Sequence, residues 1–337
     1  MNLRGKTSGI YVLLLCLALP LVGACAAWDA SSTGEPPGEP PGPAADPLSA
    51  WSDTAVKRTI LEYLEQITRP GDPRFIPPEH RLATFDFDGT IGCEKPDYME
   101  VMVAIHRLCE LTRTQPALLE KSLYRAACDG DLETVNASVE QALLEAFLGE
   151  TQTFYSDYVK RFLHEHHHPR FDRPYAQLTY LPMRQLIELL HARGFAVYVV
   201  SGSQQGFTRR FGTDVLELPA PRLIGSPVQL SFSLEDDTSA LVRQDAFLSP
   251  SPDGAGKAEI IRNRIGLQPV LAFGNSMGDF EMLQYATSSP YPSLGLILVH
   301  DDPEEYVYRD DKLIQHAEQN GWLRVSMKDD FEVVFAE

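Results

Sequence analysis

The sequence is short of positive charge. It has 29 Lys and Arg residues against 47 Asp and Glu residues, which gives a formal net charge of −18 at pH 7. A nucleic-acid partner is therefore not expected, because the phosphate backbone attracts proteins with a basic face. The imbalance indicates an acidic, well-solvated surface and says little about the fold.

The chain also lacks a long apolar run near its start. The run IYVLLLCLALPLVG, Ile10–Gly23, is too short for a comfortable membrane span, and the basic residues before it are typical of a targeting segment. It ends in VGAC, Val22–Cys25, which resembles a bacterial lipobox, in which the cysteine is lipidated and becomes the mature N-terminus. We predict a lipoprotein signal peptide over residues 1–25 and lipidation at Cys25. The alternatives are an ordinary signal peptide and an uncleaved anchor.

The segment after this leader has little that could form a core. Residues 26–50 are dominated by proline, glycine and small polar residues, so we predict an extended tether. Leader and tether together predict an exported protein that is held at a membrane by its lipid, on the periplasmic or cell-surface side.

Cysteine is scarce, with five residues in the chain. No CxxC pair or Cys/His cluster indicates a zinc site. Export permits a disulfide between Cys109 and Cys128. The histidine tract HEHHH, residues 164–168, is interpreted as a solvated helix end, because a single tract lacks the partner ligands of a specific metal site.

Hydrophobic periodicity divides the rest of the chain into two kinds of segment. Leu82–Phe87 is a predicted strand, and the stretch from Pro96 to about Arg173 shows only helical patterns. From Pro182 onward, helices alternate with apolar strands. This alternation predicts an α/β fold with a Rossmann-like parallel sheet, a core over residues 51–95 and 176–337, and an inserted small helical cap over residues 96–175.

Polar residues stand where the predicted strands end, which is where open α/β sheets bind ligands. Asp86 and Asp88 follow the first strand in LATFDFDGT. They fit a pair in which one acid attacks and the other moves protons, or a plain polar turn. Ser201 and Gly202 follow the strand FAVYVV. They fit an anion site, or Ser201 fits a simple helix N-cap.

Two further segments extend the pattern. Lys257 lies in the first turn of a predicted helix, where it opposes the helix dipole, and alone it would be interpreted as a surface lysine. Asn275 and Asp279 follow another strand in LAFGNSMGD, and Asp279 alone would be an ordinary acidic residue at a helix start.

Taken in order, these residues resemble the four motifs of the haloacid dehalogenase superfamily. DFDGT is similar to the first motif, Ser201 to the second, Lys257 to the third and GNSMGD to the fourth. The resemblance covers most of residues 82–326. It is greatest to phosphoserine-phosphatase-like enzymes, whose small helical cap is inserted between the first two motifs.

The resemblance implies a Mg²⁺-dependent phosphomonoester hydrolase that acts on a small exported or extracellular phosphorylated metabolite. Asp86 would be the nucleophile that becomes an aspartyl-phosphate, Asp88 the general acid and base, and Lys257 a third catalytic residue that offsets charge on the nucleophile and the phosphate. The implied phosphate-binding residues are Thr90, Ser201, Gly202 and Lys257. The implied Mg²⁺ ligands are Asp86, Asp88, Asn275 and Asp279.

This sequence departs from the phosphoserine phosphatase pattern in several places. Asn275 stands where an aspartate is usual, and Gly89 where a serine is usual. Lys95 replaces a glutamate that helps to bind the amino acid, with Glu94 one residue early. A phosphoserine-like substrate therefore stays only an expectation. Two other functions remain open: a non-catalytic binding lipoprotein with this fold, and a phosphotransferase or mutase that shares the aspartyl-phosphate.

Overall fold

The central sheet has seven strands in the order β3-β2-β1-β6-β7-β8, with β9 also paired to β7. The computed structural model describes residues 46–235 and 237–336, so the predicted signal peptide, Cys25 and the tether up to residue 45 lie outside the described residues. The strands of the described chain are β1 (Leu82–Phe85), β2 (Ala196–Gln204), β3 (Leu223–Ser226), β4 (Val228–Glu235), β5 (Thr238–Phe247), β6 (Leu271–Gly274), β7 (Leu294–Asp301), β8 (Val307–Tyr308) and β9 (Leu323–Ser326).

Pairing in the sheet is parallel except at β8, a short strand that runs antiparallel to β7. β1 lies in the middle, between β2 and β6, and Ala83 is in register with Val197 on one side and Leu271 on the other. The strand residues of β1 and β6 are all buried, as expected for a sheet that is covered on both faces. The predicted α/β fold with a parallel core sheet is confirmed.

Helices cover the sheet and form the insertion between β1 and β2. The helices of the described chain are α1 (Ala55–Thr68), α2 (Met99–Thr114), α3 (Ser122–Asp129), α4 (Leu132–Asn136), α5 (Val139–Glu145), α6 (Gln152–Glu165), α7 (Leu181–Ala192), α8 (Gln205–Asp214), α9 (Ala255–Ile260), α10 (Phe280–Thr287), α11 (Asp311–Asn320) and α12 (Met327–Asp330). None of them is long and apolar enough to cross a membrane. The predicted cap region corresponds to α2 through α6, and a disulfide between Cys109 and Cys128 joins α2 to α3.

A β-hairpin of β4 and β5 was missed by the prediction. Its first strand, VQLSFSLE, alternates apolar and polar residues, which is a readable strand pattern. Directly opposite residues in an antiparallel pair share a face, and Leu230 is opposite Arg243. Arg243 is buried with its guanidinium 3.9 Å from the ring centre of Tyr155 on α6. The hairpin therefore packs against the cap, while Phe232 near its tip is 69% exposed.

Two further expectations need correction. The predicted tether reaches residue 50, but Leu48 and Ala50 are buried, and the neighbouring Trp51 donates from Nε1 to the carbonyl oxygen of Pro182. The tether therefore ends before Leu48, because these apolar side chains are buried in the hydrophobic core.

The histidine tract is only partly a solvated helix end. His164 is half exposed at its side chain and contacts Asp214. His168 is buried, and its Nε2 lies 2.6 Å from the carbonyl oxygen of Lys95. His166 stacks on the ring of Phe162. The tract thus belongs mainly to the packing between the end of α6 and the core.

Candidate active site

Parallel pairing of β1, β2 and β6 brings the predicted motif residues to one edge of the sheet. Asp86 follows β1, and its backbone N–H donates to the carbonyl oxygen of Phe273 in β6 at 2.9 Å. Asn275 follows β6 directly. Residues that are nearly 190 positions apart in the chain, such as Asp86 and Asn275, thereby become neighbours.

Lys257 connects two buried carboxylates. Its Nζ lies 2.5 Å from Asp86 Oδ1 and 2.6 Å from Asp279 Oδ1, and all three residues are buried. Burial alone would lower the pKa of Lys257, but Asp279 and Asp86 raise it above its ordinary value. Burial raises the pKa of Asp86, and Asp279 raises it further, while Lys257 opposes both. One ammonium thus faces two carboxylates, which favours an additional cation at this point.

Asp88 is held by two serines of β2. Its Oδ2 accepts from Ser203 Oγ at 2.8 Å and from Ser201 Oγ at 3.2 Å. Its Oδ1 is buried and has no hydrogen-bond partner. Burial raises the pKa of Asp88 to about 7, with a further contribution from the Glu100 carboxylate. This carboxyl group is therefore suited to both giving and taking a proton near neutral pH.

Asp279 is fixed by the start of the helical turn that contains it. Its Oδ2 accepts from the backbone N–H groups of Asn275 at 2.9 Å and Ser276 at 3.1 Å. Gly274 makes this close approach possible, because a Cβ there would lie 2.4 Å from the Asp279 side chain. The other carboxylate oxygen of Asp279, Oδ1, accepts from Lys257 Nζ, which also contacts Asp86.

Asn275 is buried next to the loop that carries Asp88. Its Oδ1 accepts from Thr90 Oγ1 at 3.3 Å. A Cβ at Gly89 would lie 2.0 Å from Asn275 Nδ2, and Gly89 has a φ of +70°. The glycine at 89 and the asparagine at 275 therefore fit one another, since any side chain at 89 would occupy the space of the amide.

A cavity of about 370 Å³ is lined by Asp86, Asp88 and Lys257, whereas Asp279 and Asn275 do not line it. Gly202 and Ser203 line it, whereas Ser201 and Thr90 are fully buried beneath it. Ser201 and Thr90, which were predicted to bind phosphate, therefore make no contact with this cavity; the hydroxyl of Ser201 donates to Asp88 and that of Thr90 to Asn275. Ser203, which sequence reasoning missed, has the same strand face as Ser201 two residues earlier, and this spacing was a readable signal.

A buried His–Glu pair supports the loop from behind, and sequence reasoning missed it. His300 Nε2 lies 2.7 Å from the carbonyl oxygen of Gly89, and its Nδ1 lies 3.3 Å from Glu305 Oε2. Tyr180 donates to Glu305 Oε1 at 3.1 Å. Burial alone would raise the pKa of Glu305, but hydrogen bonds from His300 and its other neighbours lower it below its ordinary value. No local pattern could have indicated the contact between His300 and Gly89, because the two residues are 211 positions apart in the chain.

A divalent cation would find oxygen donors at this edge of the sheet. Within residues 46–235 and 237–336, no three His, Cys, Asp or Glu side chains lie together as a ready metal cluster. The candidate donors are instead the carboxylates of Asp86 and Asp279, which share Lys257, while the Asn275 side chain contacts Thr90 and lines a neighbouring pocket. Hard oxygen donors of this kind suit magnesium better than zinc.

A second and larger cleft, of about 750 Å³, lies between the hairpin and α8. Arg209, Arg210 and Arg264 are among its lining residues. It contains none of the paired carboxylates or Lys257, so the chemistry places the candidate active site in the smaller cavity.

Comparison with known proteins gives one match by family and several by structure. A family model described as haloacid dehalogenase-like hydrolase matches residues 83–284. A conserved functionally unknown protein from Anaerococcus prevotii DSM 20548 is 15% identical with a TM-score of 0.52, over 80% of this chain and 91% of that chain. No curated protein matches the chain.

Two other solved structures are less similar. A phosphoserine phosphohydrolase-like protein from Francisella tularensis subsp. tularensis SCHU S4 is 15% identical with a TM-score of 0.38, over 70% of this chain and 98% of that chain. A probable phosphoserine phosphatase from Vibrio cholerae is 14% identical with a TM-score of 0.40, over 81% of this chain and 64% of that chain. The likeness to the Anaerococcus protein shows a shared fold, and the two lower scores support no conclusion about substrate.

Proposed function

This chain belongs to the haloacid dehalogenase-like hydrolases, and we propose that it hydrolyses small phosphomonoesters through an aspartyl-phosphate on Asp86. The observation that supports this most directly is the junction of Asp86, Lys257 and Asp279, with Asp88 two residues away in the same cavity. A nucleophile, a fixed cation and a proton-transfer group are the side chains that phosphoryl transfer requires.

In the proposed reaction, an Asp86 carboxylate oxygen bonds to phosphorus while the bond from phosphorus to the alcohol oxygen breaks. Asp88 gives its proton to that leaving oxygen. In the second step Asp88 takes a proton from a water molecule that attacks phosphorus, and Asp86 is released together with inorganic phosphate. The partnerless Oδ1 of Asp88 and its pKa of about 7 suit both transfers.

Other groups of the cavity would bind the phosphoryl oxygens. The Lys257 ammonium offsets negative charge on Asp86 and on the incoming phosphate. Gly202 lines the cavity beside Asp88 and offers a backbone N–H, while the Ser203 hydroxyl, which also lines the cavity, donates to Asp88. Ser201 would act indirectly, by holding the carboxylate of Asp88 in place.

Magnesium fits the donor set of Asp86 and Asp279, with Asp88 and Asn275 at its margin. When bound, Mg²⁺ supplies positive charge that draws a phosphate dianion to the carboxylates. Burial and the Asp279 carboxylate raise the pKa of Asp86, so they oppose its charged form. An additional cation such as Mg²⁺ would stabilise that charged form, which supports a metal at this point.

A panel of phosphomonoesters, assayed for phosphate release with and without Mg²⁺, tests the proposal. We expect release that depends on Mg²⁺ and needs no acceptor other than water. A phosphotransferase would need an added acceptor alcohol or sugar. A binding lipoprotein would bind a phosphate ester without releasing phosphate.

Replacing Asn275 with aspartate is expected to change the affinity for the two ligands in opposite directions. The added carboxylate should tighten Mg²⁺ binding and weaken phosphate binding, because it would lie within a few ångströms of both. Each effect should be ~1–3 kcal/mol at an effective dielectric constant near 20. Calorimetric titration with Mg²⁺, and the KM of the best ester, would measure them.

The matched control for this variant is Asn263→Asp, which adds the same charge at an exposed position. Unchanged affinity for Mg²⁺ and substrate in Asn275→Asp would place Asn275 outside the metal shell and leave Asp279 to complete it.

We also propose that the protein is exported and anchored by a lipid on Cys25. Replacing Cys25 with serine should move the protein from the membrane fraction to the soluble fraction, because a thioether-linked lipid can no longer form. Fractionation followed by mass spectrometry of the N-terminal peptide measures this. An unmodified N-terminus at another residue of the wild-type protein would contradict it.

A further inference from the structure

The cavity above Asp86 is strongly acidic. Its lining includes five carboxylates, those of Asp86, Asp88, Glu94, Glu100 and Asp253, and a single ammonium, that of Lys257. Lys257 is already held between Asp86 and Asp279. If the phosphate group of a substrate binds at Asp86 and Lys257, the rest of the cavity therefore presents negative charge to the alcohol part of that substrate.

Glu100 is the most informative of these acids. It is buried in the first turn of α2, and its Oε2 accepts from the backbone N–H of Gln204 at 2.8 Å. The side chain of Glu94 is paired with Lys95 at 3.4 Å, whereas Glu100 has no ion-pair partner among the described residues. Burial raises the pKa of Glu100 to about 7, so a ligand cation beside it would stabilise its charged form.

Arg243 forms no ion pair with Glu100, although its charge offsets part of the effect of burial on the pKa of Glu100. Arg243 lies behind it, where Nη1 donates to Gln152 Oε1 at 3.1 Å and Nη2 donates to Gln204 Oε1. Gln204 thus contacts both charged residues. Its side-chain oxygen accepts from Arg243, and its backbone N–H donates to Glu100. Glu100 therefore lines the cavity without an ion-pair partner among the described residues.

Among the described residues that line the cavity, Lys257 is the only cation, and it is paired with Asp86 and Asp279, so none remains for a carboxylate on the substrate. Two cationic residues of the cap region, Arg125 and Lys160, do not line the cavity. Arg125 donates to the carbonyl oxygen of Leu119, and Lys160 contacts Asp214. A substrate carboxylate would therefore meet Glu100 without a compensating cation, which costs binding energy.

The remaining walls suit an organic cation. Tyr98 lines the cavity with a side chain that is 47% exposed, and an aromatic ring attracts an ammonium through its face. Val101, Val139 and Leu143 add apolar wall beside it. An alkylated ammonium needs this combination of negative charge, aromatic face and aliphatic surface.

We propose that the substrates are phosphomonoesters of amino alcohols that carry an ammonium group and no carboxylate. This rests on the proposed phosphatase function and narrows it. The phosphate would lie at Asp86 and Lys257, and the ammonium would lie between Glu100 and Tyr98. A cavity of about 370 Å³ is of the size that holds a small ligand.

The test compares four esters with the full-length protein in Mg²⁺: phosphoethanolamine, phosphocholine, phosphoserine and glycerol 3-phosphate. We expect kcat/KM for one or both amino-alcohol esters to exceed the other two by at least tenfold. The first two esters differ in methylation of the ammonium, so their ratio shows whether the Tyr98 face or hydrogen bonding to Glu100 contributes more.

Variants then locate the ammonium site. Glu100→Gln keeps the shape and the hydrogen bond from Gln204, and it should raise KM for the preferred ester about tenfold. The KM for glycerol 3-phosphate should stay within about twofold or fall. Glu62→Gln, which removes one carboxylate from an exposed position on α1, is the control for total charge.

The possible outcomes separate this proposal from the proposed function. Hydrolysis of all four esters at similar kcat/KM, or a preference for phosphoserine, would overturn the amino-alcohol proposal and leave the phosphatase intact. An equal change in KM for charged and neutral esters in Glu100→Gln would also overturn it. Release of phosphate from no ester, with or without Mg²⁺, would overturn the phosphatase function itself.

Discussion

Asp86→Asn is expected to remove essentially all turnover, by roughly 10⁴-fold or more. An amide oxygen is a poor nucleophile toward phosphorus, so the aspartyl-phosphate cannot form. The fold should survive, because asparagine keeps the shape of the side chain. The change also relieves the repulsion between two buried carboxylates that share Lys257. Initial rates of phosphate release, with thermal unfolding as a check on folding, measure the effect.

A covalent trap makes this prediction sharper. In the wild-type protein, borohydride reduction during turnover should convert the phosphorylated Asp86 to homoserine, which peptide mass spectrometry detects. The matched control is Asp129→Asn, which changes an exposed aspartate at the end of α3 and should leave the rate unaltered. Retained activity in Asp86→Asn, or a reduced residue at another position, would disprove the mechanism.

Asp88→Asn is expected to lower kcat by about 10²–10⁴-fold, the usual range for loss of general acid–base catalysis. The asparagine can still accept hydrogen bonds from Ser201 and Ser203, so the geometry of the loop should be kept. It can neither give a proton to the leaving alcohol nor take one from water. The loss should therefore appear in kcat far more than in KM.

The leaving group distinguishes the two roles of Asp88. An aryl phosphate such as p-nitrophenyl phosphate needs little protonation of its leaving oxygen, so its first step should be nearly normal in Asp88→Asn. Rapid mixing should then show a burst of one p-nitrophenolate per active site, followed by slow turnover. Equal losses for alkyl and aryl esters, without a burst, would show that Asp88 positions the substrate rather than moving protons.

Much of this site was predictable because it depends on short-range patterns. Each of the four predicted segments occupies only a few residues. They are DFDGT after an apolar strand, a serine after a second strand, a lysine in a helix start, and GNSMGD after a third strand. Parallel strands align their carboxyl ends, so the three strand-end segments had to meet. Lys257 lies in α9, which follows the β4–β5 hairpin, so its place between Asp86 and Asp279 depends on the tertiary fold. The roles assigned to these residues remain predictions until the variants are measured.

Side-chain direction was less accessible. Thr90 and Ser201 were predicted to face a phosphate, yet their hydroxyls contact Asn275 and Asp88. Ser203 lines the cavity, although its hydroxyl also donates to Asp88. A buried hydroxyl turns toward the nearest acceptor, and the nearest acceptor is supplied by another segment of the chain. Local sequence therefore could not decide between the two serines.

The sequence by itself determined the parallel α/β core, the helical insertion after the first strand and the group of residues at the strand ends, because periodicity and strand polarity are local properties. Only the tertiary structure decided the charge of the cavity. Glu100 lies at the active site because α2 begins beside β2. Arg243 contacts the side chain of Gln204 because the hairpin packs on α6. His300, near the end of β7, contacts the carbonyl oxygen of Gly89. These contacts join segments that are far apart in the chain. Their geometry depends on the close packing of helices and strands in the folded protein.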